Sequence, residues 1–324
     1  MKVDIVRSIM AQFLPRLLYS RRRGPQHRIW RVLHRYYSRG RLPIKVFLHG
    51  KSMFLNPASP YPFILADAPQ FNSGLIAVAI CLYRHVGRPL HIVDVGSSVG
   101  DTLVLLKHSI PDGIESCICV DGAEDNRPYF EKNTVGINGV RAYFMMLGAA
   151  AGAVPSLVRH HPGSAMAAGS GCAPCQTLDS LLATLGPVGK CDLIKIDVDG
   201  YDGEVLKGAG ETLLRWQPLV VFEWHPYLIK LCGCDHRTAF RALGAAGYRK
   251  LIWFNNRGYF SHISEIPDEI EINWWNEFLI SRYRPDGPHF DVVALPPLLE
   301  NLVADLAGVV AYSANVTRCE ESLT

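Results

Sequence analysis

Three charged residues interrupt an otherwise apolar segment, LIKIDVD at positions 193–199. The leucine, isoleucine and valine side chains predict a strand buried on both faces, whereas Lys195, Asp197 and Asp199 recur at every second position along one side of it. Charges in a core strand cost free energy unless they are paired with one another or used by the protein. We therefore interpret the row as part of a functional site rather than as a structural network of ion pairs.

A second group of ionisable residues follows the apolar run LVVF at positions 219–222, where Glu223 and His225 stand directly after a predicted strand. A carboxylate or an imidazole that takes a proton from a reacting group typically accelerates the reaction by about 10²–10⁴-fold. Asp197, Asp199 and His225 are therefore candidates for a general base, and the sequence does not rank them.

A glycine-containing turn lies within HIVDVGSSVGDT at positions 91–102. Apolar residues around Asp94 predict a buried parallel strand, and apolar residues at helical spacing follow Thr102. Gly96 and Gly100 allow the backbone to bend sharply and to approach a ligand, and the first N–H groups of the new helix point at it. Ordinary α/β cores also contain such turns, but we interpret this one as a cradle for a nucleotide-like or carboxylate-bearing cofactor.

The glycine spacing separates two kinds of cofactor. The dinucleotide-binding fingerprint G-x-G-x-x-G would need glycine at the positions of Ser98 and Asp101. The chain also has no Tyr-x-x-x-Lys pair, which disfavours an NAD-dependent sugar oxidoreductase, the first alternative. The segment Asp94-x-Gly96-x-Ser98-x-Gly100 instead resembles the first motif of class I S-adenosylmethionine (SAM) methyltransferases, D-x-G-x-(G/N)-x-G. This resemblance implies SAM as the cofactor and these four residues as part of its binding site.

Asp121 follows the next predicted strand, SCICV at positions 116–120. In α/β cofactor-binding folds, an acidic residue at this place accepts hydrogen bonds from the two ribose hydroxyls. A second interpretation is that Asp121, Glu124 and Asp125 only begin the following helix, where negative charge is favourable. The two interpretations are compatible, and we expect Asp121 to bind the ribose.

The predicted strands place these residues at one edge of a sheet. Further helices are predicted at 75–84, 205–214 and 237–246, and further strands at 141–147, 248–254 and 290–295. Because the carboxyl ends of parallel strands face the ligand crevice, we expect acidic or imidazole groups from four strands to meet there: Asp94, Asp121, Asp197 with Asp199, and Glu223 with His225.

The chain as a whole resembles one family more closely than a fold class. LIKIDVDGYDGEVLKGA, with TLDSLL before it and PLVVFEWH after it, is similar to the signature of the FkbM family of SAM-dependent methyltransferases, and the resemblance covers residues 72–296. It implies an α/β, Rossmann-like class I methyltransferase fold with a doubly wound, mostly parallel seven-stranded sheet and a reversed last hairpin. It also implies methyl transfer from SAM, usually to a hydroxyl of a sugar or a secondary metabolite.

The sequence departs from the family pattern at three acidic positions. Asp199 and Asp202 stand where the family has Glu, and Asp121-Gly122 replaces the usual Glu-Pro. Each substitution keeps the charge but shortens its reach by one methylene. The implied roles therefore carry over less directly to Asp121 and Asp199 than to the residues that match the pattern, which are Asp94, Gly96, Gly100, Lys195 and Asp197.

The resemblance suggests how the site would work. We expect Asp197, Asp199, His225 and Lys195 to form the catalytic centre for a hydroxylated small-molecule or glycan acceptor. A divalent ion held by Asp197 and Asp199 would be another way to acidify the hydroxyl, and we do not expect one. The second alternative is a catalytically silent membrane- or glycan-binding protein on a methyltransferase scaffold, and the intact Asp94 argues against such decay.

Basic residues are concentrated at the start of the chain. Residues 1–45 contain twelve Lys or Arg and one acidic residue, a net charge of +11 against −8 for the remainder. The pattern predicts two short basic amphipathic helices, which either contact an anionic membrane peripherally or pack as a cap on the catalytic domain. Nucleic acid is not expected as a partner.

These features suggest three regions: a basic helical extension with a linker at 1–70, a methyltransferase domain at 71–298 and a tail at 299–324. A polar and glycine-rich passage at 159–176 is predicted to be a mobile lid. No apolar run is long enough to span a membrane, no secretory signal is evident, and the nine cysteines fit a reduced environment as small hydrophobes. A cytoplasmic location is expected, with possible attachment at the inner face of the membrane.

Overall fold

The computed structural model describes residues 43–56, 59–161, 164–185, 190–281 and 288–306. The predicted helices of the basic arm and most of the predicted tail lie outside these residues. Thirteen strands are described: β1 Ile44–Leu48, β2 Lys51–Leu55, β3 Leu90–Val95, β4 Ile114–Asp121, β5 Val140–Phe144, β6 Met146–Leu147, β7 Gly152–His161, β8 Ser164–Gln176, β9 Leu193–Ile196, β10 Leu219–Trp224, β11 Lys250–Asn255, β12 Phe260–Glu265 and β13 Phe290–Leu295. The named helices of the described residues are α1 Tyr61–Asp67, α2 Ser73–Val86, α3 Asp101–Ser109, α4 Arg127–Thr134, α5 Leu178–Thr184, α6 Asp202–Lys207, α7 Gly210–Trp216, α8 Pro226–Leu231, α9 Thr238–Ala245 and α10 Glu269–Ile280.

An eight-stranded central sheet organises the molecule, with the order β12-β11-β13-β10-β9-β3-β4-β5. The five strands from β10 to β5 are parallel, whereas β13 runs antiparallel to both of its neighbours, β10 and β11. This confirms the predicted mostly parallel sheet with a reversed last hairpin. The predicted number of seven strands is wrong, because β12 adds an eighth strand to the edge by antiparallel pairing with β11.

Helices cover both faces of this sheet, as the doubly wound prediction requires. On one face, α2 and α3 bury leucine and valine side chains such as Val78 and Leu103 against the strands. On the other face, α5, α6, α7, α9 and α10 bury Leu181, Leu206 and Phe240. Burial on both faces explains why the central strands are continuous apolar runs rather than alternating ones. No helix in the described part of the chain is long and apolar enough to cross a membrane.

The region before the domain is folded onto it from residue 44 onward. Strands β1 and β2 form a hairpin whose Ile44 and Leu55 are buried with Val99 of the glycine-containing turn. Buried Asn133 of α4 ties the hairpin to this turn, because its amide nitrogen donates to the carbonyls of Phe54 and Val99 at 2.9 and 2.8 Å. Part of the predicted linker is thus a structural piece of the domain.

Two local predictions differ from the structure. The passage predicted as a lid forms β8 and the end of β7, which pair as an antiparallel hairpin, and β8 also pairs with β6. Its alanine, glycine and serine residues carry no strand propensity, so the pairing comes from the tertiary fold. The charge row was expected inside a strand, but β9 ends at Ile196, which places Asp197 and Asp199 in the following turn.

Candidate active site

A cavity of about 730 Å³ opens at the carboxyl edge of the sheet. It lies within the size range of small-molecule and cofactor sites. The glycine turn, the ends of β4 and β10, the turn after β9, helix α1 and the β7–β8 hairpin all contribute to its wall. Of the residues predicted from the sequence, seven line it: Gly96, Ser98, Asp121, Lys195, Asp197, Asp199 and His225. The other two, Asp94 and Gly100, do not line it.

The glycine turn is shaped by the neighbouring strand as well as by the cavity. Gly96 has φ +85°, and a Cβ there would overlap the carbonyl oxygen of Asp197. Gly100 has φ +82°, and a Cβ there would lie 2.9 Å from the Thr134 side chain. The sequence predicted glycines for close approach to a ligand, whereas the structure shows that they also let the backbone pass close to the turn after β9 and to α4.

Asp121 is the residue that holds this turn in place. Its Oδ2 accepts a hydrogen bond from the backbone N–H of Ser98 at 2.7 Å. Its Oδ1 accepts from the N–H of Ala123 at 2.8 Å and from the Asn126 amide at 3.1 Å. A carboxylate has about four acceptor positions, so one remains for a ribose hydroxyl instead of the two that were expected. Asp121 is 8% exposed, and burial raises its pKa despite these donors.

Lys195 lies between two carboxylates on adjacent segments. Its Nζ is 3.5 Å from Oδ1 of Asp94 and 3.2 Å from Oδ2 of Asp197. Burial would lower the pKa of Lys195, but the carboxylates of Asp197, Asp94 and Asp101 raise it above its ordinary value. Asp94 is 0% exposed, and burial raises its pKa to about 6 even though Lys195 acts in the opposite direction. The predicted burial of all three charges is wrong, since the Asp197 side chain is 48% exposed.

A tyrosine that the sequence did not single out closes the cavity near this charge cluster. Tyr61 begins α1, and its hydroxyl lies 2.7 Å from Nε2 of His49. Burial raises the pKa of Tyr61, and a hydrogen bond to Asp101 raises it further. Burial also lowers the pKa of His49 to about 4, so this imidazole is neutral at pH 7. No motif marks Tyr61, because its place depends on how residues 44–67 fold back.

Four ionisable residues meet where β10 ends and β13 begins. Glu223 pairs across the sheet with Asp291, and its Oε1 lies 3.3 Å from Nε2 of His289. His289 stacks on His225 with ring centroids 4.4 Å apart and 17° between the planes. Burial, together with Asp197 and other nearby carboxylates, raises the pKa of Glu223 well above its ordinary value. Burial and Asp197 also raise the pKa of Asp291 to about 7, although Lys195 acts in the opposite direction. The reversed last strand could have revealed His289, because its beginning must lie at the carboxyl edge.

The turn after β9 is stabilised by an acidic residue that is not part of the cavity wall. Asp202 accepts hydrogen bonds from the N–H groups of Val198 and Gly200 at 3.4 and 3.1 Å. Its burial raises its pKa to about 8, with Asp197 and Asp199 adding to the shift. Asp199, which lies between these two N–H groups, has φ +53°. No group of three or more His, Cys, Asp or Glu among the described residues could hold a metal ion.

Comparisons with known proteins identify a family for one part of this chain. Residues 129–250 match the methyltransferase FkbM domain. This part of the chain belongs to that family. The match includes β9, the turn after it and β10, so it covers the segment on which the sequence resemblance depended.

The chain is also similar to solved methyltransferase structures. One is the crystal structure of methyltransferase FkbM from Methylobacillus flagellatus KT, with 14% identity and a TM-score of 0.40 over 63% of this chain and 43% of that one. Another is precorrin-6y C5,15-methyltransferase from Geobacter metallireducens GS-15, with 13% identity and a TM-score of 0.36 over 68% of this chain and 87% of that one. The chain thus spans less than half the length of the first structure. The comparison with curated proteins finds no match.

Proposed function

We propose that this protein is a SAM-dependent methyltransferase that methylates a hydroxyl of a sugar, glycan or secondary metabolite. The observation that carries the proposal is the contact between Asp121 and the N–H of Ser98, within a chain that contains an FkbM domain. This contact fixes the glycine turn beside a cavity of about 730 Å³ and leaves one acceptor position on Asp121. Gly96, Ser98 and Asp121 would hold SAM, which supplies an activated methyl group when it is bound.

The residues of this chain would then serve mainly to position the acceptor. Holding a reacting oxygen close to a methyl carbon can contribute several kcal/mol to catalysis. Lys195 fixes the half-exposed Asp197 at the cavity wall at 3.2 Å, so that carboxylate can orient an acceptor hydroxyl or a cofactor ammonium group. A base near the hydroxyl would add about 10²–10⁴-fold.

Calorimetry with SAM, S-adenosylhomocysteine and NAD tests the proposal. We expect micromolar binding of the first two and none of NAD. Asp121→Asn should weaken SAM binding at least tenfold, because an amide cannot accept from both Ser98 and Ala123. Asp112→Asn, at an exposed position in the turn before β4, is the matched control and should bind as the wild type does. Tight NAD binding, or no SAM binding, would contradict the proposal.

Methyl transfer from labelled SAM to glycolipids and polysaccharides of the source organism tests the chemistry. Asp197→Asn should keep the fold, because this side chain is half exposed, and should lower turnover at least tenfold. Loss of activity on adding EDTA, with recovery on adding Mg²⁺ or Mn²⁺, would favour the metal alternative instead. SAM binding without any turnover would favour the catalytically silent alternative.

A further inference from the structure

The antiparallel direction of β13 gives the cavity a second imidazole, in addition to that of His225, which follows the parallel strand β10. Parallel strands deliver Asp121, Asp197 and Glu223 to the carboxyl edge from their last residues or the turns after them. β13 instead delivers the residue before its first one, His289, because it begins at that edge. Adjacent strands are about 4.8 Å apart, so β4 and β10 are separated by about 14 Å. His289 therefore lies across the cavity from the turn that Asp121 holds.

Two histidines stack at this end of the cavity, but they differ in access. His225 is 2% exposed, and both of its ring nitrogens are covered. The side chain of His289 is 17% exposed and lines the cavity. A small molecule in the cavity can thus reach the ring of His289 more easily, while His225 supports the other face of that ring at 4.4 Å.

Glu223 fixes the orientation of the accessible imidazole. Its Oε1 is 3.3 Å from Nε2 of His289, and its other oxygen, Oε2, is buried without a hydrogen-bond partner among the described residues. An ionised Glu223 accepts the Nε2 proton and leaves the lone pair on Nδ1. A carboxylate that selects the tautomer of a neighbouring histidine is a recurrent way of preparing a base.

We propose that His289 is the general base of the methyl transfer and that Glu223 is its positioning residue, which implies an acceptor that must lose a proton, such as a hydroxyl. The inference rests on the proposed function. In this step the O–H bond of the acceptor breaks and its proton moves to Nδ1 of His289. The oxygen uses the freed electron pair to bond the methyl carbon, and the sulfur keeps the pair of the broken S–C bond.

Glu223 and His289, here called the dyad, lie among other carboxylates, and these determine how activity should change with pH. Protonation of either member removes the base, so activity should fall as the pH is lowered through the range in which Glu223 takes up a proton. The pKa of Glu223 is raised, because Glu223 is buried and surrounded by other carboxylates, so this fall begins at a higher pH than for an ordinary glutamate. The titratable and charged groups of the neighbouring elements are Lys195, Asp197, Asp199, Asp202, His225, Arg257 and Asp291.

Nuclear magnetic resonance of the full-length protein with ¹⁵N-labelled histidine tests the dyad without knowledge of the acceptor. In a titration from pH 6 to 9, we expect the wild type to show mainly the neutral Nε2–H tautomer of His289 at the upper end. In Glu223→Gln this tautomer should no longer be the main one. The histidine signal that is missing in His289→Gln is the signal of His289. An Nδ1–H tautomer throughout the titration would overturn the proposal.

Kinetic measurements complete the test, with labelled SAM and a panel of methyl glycosides as probe acceptors. His289→Gln should lower kcat at least a hundredfold and Glu223→Gln at least tenfold, each with SAM affinity unchanged within threefold, and Glu223→Asp should restore part of the loss. His91→Gln is the matched control, since it is a half-buried histidine at the opposite edge of the sheet, with Nδ1 2.8 Å from the Ser116 hydroxyl. Activity retained in His289→Gln would overturn the proposal. Failure of the wild type to bind SAM would instead contradict the proposed function and leave the tautomer result standing.

Discussion

Among single residues, Lys195 is the one that compensates the negative charge of a fully buried carboxylate. It is the cation nearest to Asp94, a carboxylate that is 0% exposed and whose two oxygens make no other hydrogen bond in the described structure. Lys195→Met should therefore lower the free energy of unfolding by about 3–5 kcal/mol, because it leaves an uncompensated buried charge. Denaturant unfolding at pH 8 measures this loss.

The pH dependence of that loss identifies Asp94 as its cause. The pKa of Asp94 is about 6 with Lys195 present, and it should rise further without Lys195. A carboxyl group whose pKa is raised on folding favours the folded state when protonated, so the variant should regain stability as the pH falls from 8 to 5. Asp94→Asn combined with Lys195→Met should remove most of this pH dependence. An equal loss at pH 5 and pH 8 would show that packing, not charge, is responsible.

Sequence motifs identified the residues that follow the parallel strands. They did not identify the groups from distant segments that contact these residues in the folded protein. Lys195 and Asp197 both line the cavity because Lys195 lies near the end of β9 and Asp197 begins the turn after it. The hydrogen bonds that Asp121 accepts from Ser98 and Ala123 were not predicted, since they depend on how two turns meet. Tyr61 is distant in sequence from every motif, so no local pattern could place it.

At the scale of elements, apolar runs predicted the strands of the central sheet. They did not predict the elements whose formation depends on tertiary contacts. The last strand, predicted at 290–295, is β13 as observed, Phe290–Leu295. The hairpin of β7 and β8 was missed because β8 consists mostly of small residues, whose pattern does not predict a strand. The helix predicted at 205–214 is divided into α6 and α7, with Gly208 ending the first.

Asn133 provides a test of coupling between elements, because it joins the β1–β2 hairpin to the glycine turn. It is 0% exposed, and its side chain also accepts from the N–H of Phe54 at 2.6 Å. Asn133→Ala should cost about 2–4 kcal/mol, since three backbone groups lose their partners, and should accelerate hydrogen exchange in both β2 and the turn at Val99. Exchange mass spectrometry measures this.

Asn138→Ala is the control for that experiment, because Asn138 is exposed on the loop between α4 and β5. It should leave both segments protected. Faster exchange in β2 alone would show that the hairpin is not coupled to the glycine turn.

At the scale of the whole molecule, the uneven charge distribution leads to a prediction about location. The basic arm, defined here as residues 1–42, precedes β1 and contains eleven Lys or Arg against one acidic residue. A basic residue near an anionic leaflet contributes about 1 kcal/mol, so a third of them would suffice for reversible attachment. We propose that the arm binds anionic membrane and places the cavity near lipid-linked acceptors.

The contacts of β1 determine which residues can be deleted to test this proposal. A deletion of residues 1–45 would remove Ile44, which is buried with Leu55 and Val99, and would confuse loss of binding with loss of folding. Deletion of residues 1–42 keeps the hairpin and should leave the melting temperature unchanged. Full-length protein should then co-sediment with anionic vesicles, less so at high salt because the attraction is screened, and the truncated protein should stay in the supernatant. If the truncated protein melts much earlier, or the full-length protein does not bind the vesicles, the arm is a cap on the domain.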